Sequence, residues 1–283
     1  MPGAGKTTLL LELTRDLIER AREDITHPIP VVFNLTSRAL KRSSISKWLV
    51  DELNQRYDVS RKIAQIWVEN EEILPLLDGL DEDEKKHRFD CIEAINLFHD
   101  EHGLLPMVVC SRSADYEALT NRLRFSGSVT IQPLTREQVK EYLERAGTTL
   151  SGVYAAVNQD ESLWDLLDTP LMLSMLALAH QGRMESVARI ASLKGSLEKR
   201  RAALFDAYIE AMFARRNTTA SYTPEQTRRW LAWLAKSMVK NNQSVFLYDW
   251  MLPNYKPKWM TKQQKFDLFK GLVVLGLIIW IIL

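Results

Sequence analysis

Apolar positions along this chain follow two regimes. Up to about residue 134, short apolar runs alternate with stretches of helical period; beyond Thr135 only the helical period remains. Leu9, Leu10, Leu13, Leu17 and Ile18 recur at helical spacing and predict a helix over residues 8–21. The run Ile-Pro-Val-Val-Phe-Asn-Leu at 29–35 predicts a buried strand, and helices follow at about 45–57 and 60–70. The run beginning at Ile73 predicts a strand that ends in acids at Asp78, Asp81 and Glu82. A helix at 83–102 leads to a strand at 105–110 ending in Ser111-Arg112, and 128–133 is predicted as a last short strand. Apolar strands alternating with helices specify an α/β domain with a mainly parallel sheet. Helices at about 136–146, 163–168, 170–181, 197–214, 224–240 and from 262 onward predict a helical second region. Thr223 and Pro224 are placed as N-cap and first helical residue, and Trp230 and Trp233 as core.

Charge sharpens this division. Residues 1–180 carry 20 Lys/Arg against 29 Asp/Glu, a net of −9, whereas residues 181–283 carry 17 against 7, a net of +10. The basic half ends in Lys256, Lys258, Lys262, Lys265 and Lys270, directly before the uninterrupted apolar run 271–283. As a helix that run spans roughly 20 Å, short of the ~30 Å hydrocarbon core of a bilayer. Length alone favours a buried C-terminal helix. Uniform apolarity and the preceding lysines favour the start of a transmembrane helix, with the preceding domain cytoplasmic. Cys91 and Cys110 form no CxxC, which fits a reducing compartment and not a zinc site. His99 and His102 have ligand-like spacing, but Asp100-Glu101 between them reads as a solvated helix end.

The chemistry begins at the first residues. Met1-Pro2-Gly3-Ala4-Gly5-Lys6-Thr7-Thr8 matches most of the phosphate-binding pattern G-x-x-x-x-G-K-[ST], whose first glycine would sit one residue before Met1. Gly3 and Gly5 let the backbone approach phosphates, Lys6 can reach the β- and γ-phosphates, and the Thr7 hydroxyl can ligate Mg²⁺. Pro2, Ala4 and Thr8 complete the loop. Asp78 at the end of an apolar strand is placed to hold the same Mg²⁺, usually through water, and Asp81 or Glu82 to orient or deprotonate the attacking water. Ser111 and Arg112 end the neighbouring strand at the same sheet edge, where ligands bind in open α/β folds.

These residues, in this order, resemble the NACHT family of signal-transduction NTPases. The resemblance covers residues 1–254 and is carried by Pro-Gly-Ala-Gly-Lys-Thr-Thr, Leu-Leu-Asp-Gly-Leu-Asp-Glu and Val-Val-Cys-Ser-Arg. The segment 131–143 resembles the family's entry into its helical domain, and Thr169-Pro170-Leu171-Met-Leu its proline that packs on the nucleotide base. The resemblance implies an NTPase domain over 1–134, a helical domain over 135–194 and a winged-helix-like domain over 195–258. Residues 259–283 are then a basic juxtamembrane segment with a partial transmembrane helix. It also implies ATP or GTP, Mg²⁺, slow hydrolysis, and self-association on activation. The family's first strand and first loop glycine are absent, no histidine follows His180 where some members contact the ADP phosphate, and effector and sensor modules are missing. The chain is therefore expected to be truncated at both ends.

Three functions fit these residues. The first is a nucleotide-dependent molecular switch. The second is an AAA+-like motor ATPase, which would need an arginine finger, with Arg122 and Arg124 as candidates. The third is a degenerate interaction fragment that does not hydrolyse nucleotide. Nucleic-acid binding is not expected, because juxtamembrane lysines account for much of the basic character.

Overall fold

The computed structural model describes residues 3–37, 43–82, 85–103, 105–159, 161–180, 196–215 and 222–240. The chain divides into two units, Met1–Thr218 and Thr219–Leu283.

In the first unit, helix α1 (Lys6–Glu23) precedes strand β1 (Ile29–Asn34), helices α2 (Ile45–Arg56) and α3 (Arg61–Glu69), and strand β2 (Ile73–Asp78). Helix α4 (Lys85–Glu101), strand β3 (Val108–Val109) and the short helix α5 (Ser113–Glu117) follow. The described strands form one sheet in the order β1-β2-β3, and both pairings are parallel. The register runs from Ile29 opposite Ile73 to Asn34 opposite Asp78, so β1 and β2 end level.

Three prolines shape this sheet. Ile29 and Leu35 donate their N–H groups toward the β2 side, to Glu72 O at 2.8 Å and Asp78 O at 2.9 Å. Pro30, out of phase with them, turns its donorless nitrogen to the outer edge of β1, where no bond is needed. Leu77 faces β3, since its carbonyl accepts the Cys110 N–H at 2.8 Å. Pro75, in phase with Leu77, therefore has nothing to donate on that side, and Pro106 lacks a donor in the approaching chain. The β2–β3 ladder accordingly shrinks to Leu76–Val108 and Leu77–Val109, shorter than the apolar run at 105–110 predicts.

The alternation of side chains along the strands builds two cores. Phe33, Ile73 and Leu77 face α2, α3 and α4, packing with Trp48, Leu49, Leu53, Ile92 and Ile95. Trp48 is fully buried, stacks obliquely on Phe33 at 5.6 Å, and donates its indole N–H to Ser37 Oγ at 3.0 Å. On the other face Leu74 and Leu76 pack with Leu10 of α1.

Beyond Thr135 the expected helical region is present as α6 (Arg136–Arg145), α7 (Ser151–Gln159), α8 (Pro170–His180) and α9 (Leu197–Arg215). Thr135 and Gln138 form a reciprocal cap on α6, each side chain bonding the other's backbone N–H. The helices share a separate core containing Val139, Val153, Leu163, Leu176 and Leu204. In the second unit, helix α10 (Pro224–Lys240) is capped by Thr223 and Gln226 as the sequence predicts, and half-buried Trp230 meets Tyr222 edge-on.

Several expectations change. Residues 128–133 form no strand: they have no ladder partner among the described residues, and Val129 is 96% exposed. The helix expected at 163–168 is a 3-10 segment, Glu161–Leu166; the five-residue α5 is too short to show a period, and α7 was missed although Val153, Tyr154 and Val157 recur at helical spacing. The winged-helix span 195–258 is described only over 196–215 and 222–240, on either side of the unit boundary. Among the described residues no helix is long and apolar enough to cross a membrane. The apolar run 271–283 and the lysines from 256 lie outside the described residues, as do Met1 and Pro2.

Candidate functional site

The loop before α1 depends on glycine. Gly3 and Gly5 have φ of 73° and 89°, values that a side chain with a Cβ rarely adopts. Gly5 is the N-cap of α1 and supplies no side-chain cap, which leaves first-turn N–H groups for an external acceptor. Lys6 and Thr7 open the helix; Lys6 is half-buried and forms no ion pair with a described residue. Free donors, a helix N-terminus and an unpaired ammonium together suit an anion.

Asp78 stands at the end of β2, and Thr7 Oγ1 donates to its Oδ2 at 2.8 Å. The sequence placed these two residues on one cation from 71 positions apart, and the fold brings them together. Cys110, at the end of β3, feels the same charges. Burial, then Asp78, pushes its thiol up to about 11, Lys6 pulls it down, and Asp81 raises it again. It therefore stays protonated and is no nucleophile near neutrality.

After Asp78 the chain turns through Gly79, at φ 83°, into a 3-10 turn, Leu80–Glu82. That left-handed φ is what calls for glycine here; a Cβ would also lie 3.1 Å from Glu82 Oε2, which would have to shift. Leu80 N–H bonds Cys110 O at 3.2 Å, tying the turn to the neighbouring strand. Asp81 is buried, and both its oxygens are engaged by Arg112: Oδ1 accepts the backbone N–H at 2.9 Å and Oδ2 meets Nε at 3.0 Å. Glu82 is half-buried beside Gly79. Ser111 Oγ makes only a long contact to Arg112 O, at 3.4 Å.

Pro170 also joins the site. Its Cγ lies 3.8 Å from the Cβ that a side chain at Gly5 would have, and Leu171 N–H donates to Gly3 O at 3.4 Å. The start of α8 is thus seated on the glycine loop.

Sequence reading passed over Arg88. It is buried on α4, donates to the Asp81 carbonyl, and bonds Asp115 at 3.0 Å. Its signal, an arginine on the apolar side of a helix, is visible only once that side is known. Arg122 and Arg124 are already employed. Arg122 donates to the carbonyls of Tyr116, Glu117 and Leu119, and Arg124 pairs with Asp100 at 2.6 Å. His102 pairs with Glu71 and stacks on Phe98, while His99 stacks on Phe125. No cluster of metal-ligand type occurs among the described residues.

Comparison with known proteins bears on the same segment. The family model described as the NACHT domain matches residues 1–148, just over half of the chain. No curated protein and no solved structure matches.

Proposed function

The chain belongs to the NACHT family of nucleotide-binding P-loop NTPase modules, and from that premise we propose that it is a molecular switch driven by ATP or GTP. The observation that carries the proposal is the bond from the Leu171 N–H to Gly3 O, with Pro170 close to Gly5. The loop that would hold the phosphates also holds the helical region, so occupancy of one bears on placement of the other.

Mg²⁺ fits the donors present: a hydroxyl and a carboxylate are hard oxygen ligands, and Thr7 and Asp78, whose side chains meet at 2.8 Å, would hold the ion, Asp78 through water. When bound, the ion would neutralise charge on the β- and γ-phosphates. Pro2, Gly3, Ala4, Gly5 and Thr8 would cradle the phosphates, and Lys6 would neutralise them. Pro170 would pack on the base. With both Asp81 oxygens engaged by Arg112, Glu82 is the carboxylate we assign to the water, and Asp81 orients Arg112 toward the γ-phosphate beside Ser111. The switch would hydrolyse slowly and self-associate on activation.

We divide the chain into an NTPase domain over 1–134, a helical domain over 135–194, a winged-helix-like domain over 195–258 and a basic tail over 259–283. Membrane attachment of that tail rests on sequence alone. The motor alternative is weakened because Arg122 and Arg124 are held within their own chain.

Lys6→Ala is expected to abolish binding of a fluorescent nucleotide, with melting in its absence unchanged. Undiminished affinity would sink the assignment. Turnover well below the enzyme median of about 10 s⁻¹ separates a switch from a motor.

A further inference from the structure

Thr169 is buried, and its Oγ1 accepts the Met172 N–H at 3.4 Å. The Asp168 carbonyl accepts the Leu134 N–H at 2.9 Å, which ties this corner to the chain entering α6. The Asp168 carboxylate looks to a different element: its Oδ2 receives Nη2 of Arg201, on α9, at 2.7 Å. At the far end of α9, Arg215 donates to the Leu178 carbonyl at 3.2 Å. Helix α9 is therefore fastened at one end to Asp168, two residues before α8, and at the other to α8 itself.

The Arg201–Asp168 pair is only half made. Asp168 Oδ1 and Arg201 Nε are both buried and have no hydrogen-bond partner among the described residues. They are the second oxygen and second nitrogen of the groups already in contact. The Nε/Nη2 edge of a guanidinium matches a carboxylate in two parallel bonds. A second bond between these two groups would satisfy both orphaned atoms. The chain carries the hold on Asp168 through Thr169 to Pro170 and Leu171.

We propose that Arg201 is a positioning residue of the nucleotide site: through Asp168 it sets how Pro170 and Leu171 rest on Gly5 and Gly3, and so links α9 to the hold on a nucleoside polyphosphate. This rests on the switch reading of the loop. The sequence distance between Arg201 and Gly3 hid the connection, because no motif spans it.

The test compares wild type with R201A, R201K, R215A and the charge-exchanged D168R/R201D, using two measurements. The first is amide hydrogen exchange over residues 168–173 without nucleotide; the second is the release rate of a fluorescent ADP. R201A is expected to accelerate exchange at Leu171 and to speed release about tenfold. R215A loosens α9 at its other end and should leave both near wild type, and D168R/R201D should recover most of the loss. R201K keeps the charge without the two-point edge and should fall between, which keeps the proposal testable if R201A does not fold. Unchanged exchange at Leu171 in R201A, or an equal rise in R215A, overturns the proposal. If R201A frees the Leu171 amide but wild type takes up no nucleotide, the clamp stands and the nucleotide reading falls.

Discussion

Arg112 engages both oxygens of Asp81, its backbone N–H on Oδ1 at 2.9 Å and its Nε on Oδ2 at 3.0 Å. The carboxylate side chain is only 4% exposed, whereas the arginine is 38% exposed. Burial would penalise this charge heavily without its partner, while the guanidinium keeps contact with water. Arg88 supports the arrangement from beneath by bonding the Asp81 carbonyl.

Arg112→Ala should therefore destabilise the first unit by about 1–3 kcal/mol, since Asp81 keeps a backbone donor but loses its counter-charge. Arg112→Lys should recover less than half, because an ammonium cannot reproduce the guanidinium geometry. Urea unfolding measures both, and wild-type stability in Arg112→Ala would refute the role given to the pair.

The glycine loop makes a graded prediction. A Cβ on Gly3 would fall 2.6 Å from Leu171 Cβ, whereas at Gly5 the nearest atom is 3.8 Å away. Gly5→Ala should cost about 1–2 kcal/mol from its left-handed backbone alone. Gly3→Ala should cost more and displace the start of α8, detectable as faster proteolysis near 168–171. Adding Leu171→Ala should not rescue it, because the Cβ that collides remains.

Cys110 gives a pH prediction. Its thiol is raised from 9.0 to about 11 in the folded chain, chiefly by burial. The folded state then holds its proton more tightly than the unfolded one. This contribution to stability is present below about pH 9 and is lost as pH rises towards 11. Alkylation in a Cys91→Ser background should be slow at neutral pH. Asp78→Asn should lower the alkylation midpoint and Lys6→Ala should raise it, because their charges act in opposite directions.

The two arginines considered for an intersubunit role should separate by stability. Arg122→Ala removes donors from the carbonyls of Tyr116, Glu117 and Leu119, and should cost about 1–3 kcal/mol. Arg124→Ala breaks an exposed pair with Asp100 and should cost less than about 1 kcal/mol. Mixing either variant with wild type should leave turnover per wild-type subunit unchanged; a drop would revive the motor reading.

Much of the fold was legible because its signals are local. The helical spacing from Leu9 to Ile18 announced α1, which runs from Lys6 to Glu23, two residues longer at each end than the span 8–21 expected from it. The buried run at β1 was placed within a residue of its observed ends, and β2 begins at Ile73 as expected but stops at Asp78, the acids beyond it lying in a turn. The strand expected at 128–133 failed for a reason no window could show: an apolar stretch becomes a strand only if a neighbour offers a ladder. The brevity of β3 likewise depends on which side of β2 Pro75 faces, which is a property of pairing.

The chemistry available at the site is written in short-range spacing. Gly3, Gly5, Lys6, Thr7 and Asp78 are read from spacing, because a phosphate loop needs left-handed backbone, a cation and a hydroxyl within one turn. The tertiary structure alone decided how those groups are occupied and constrained. It gave Asp81 to Arg112, set Arg88 beneath them, seated Leu171 on Gly3, and joined Asp168 to Arg201. Local periodicity and motif spacing carry information over a turn or two of chain. These pairings join residues that only the stacking of helices and strands brings within bonding distance.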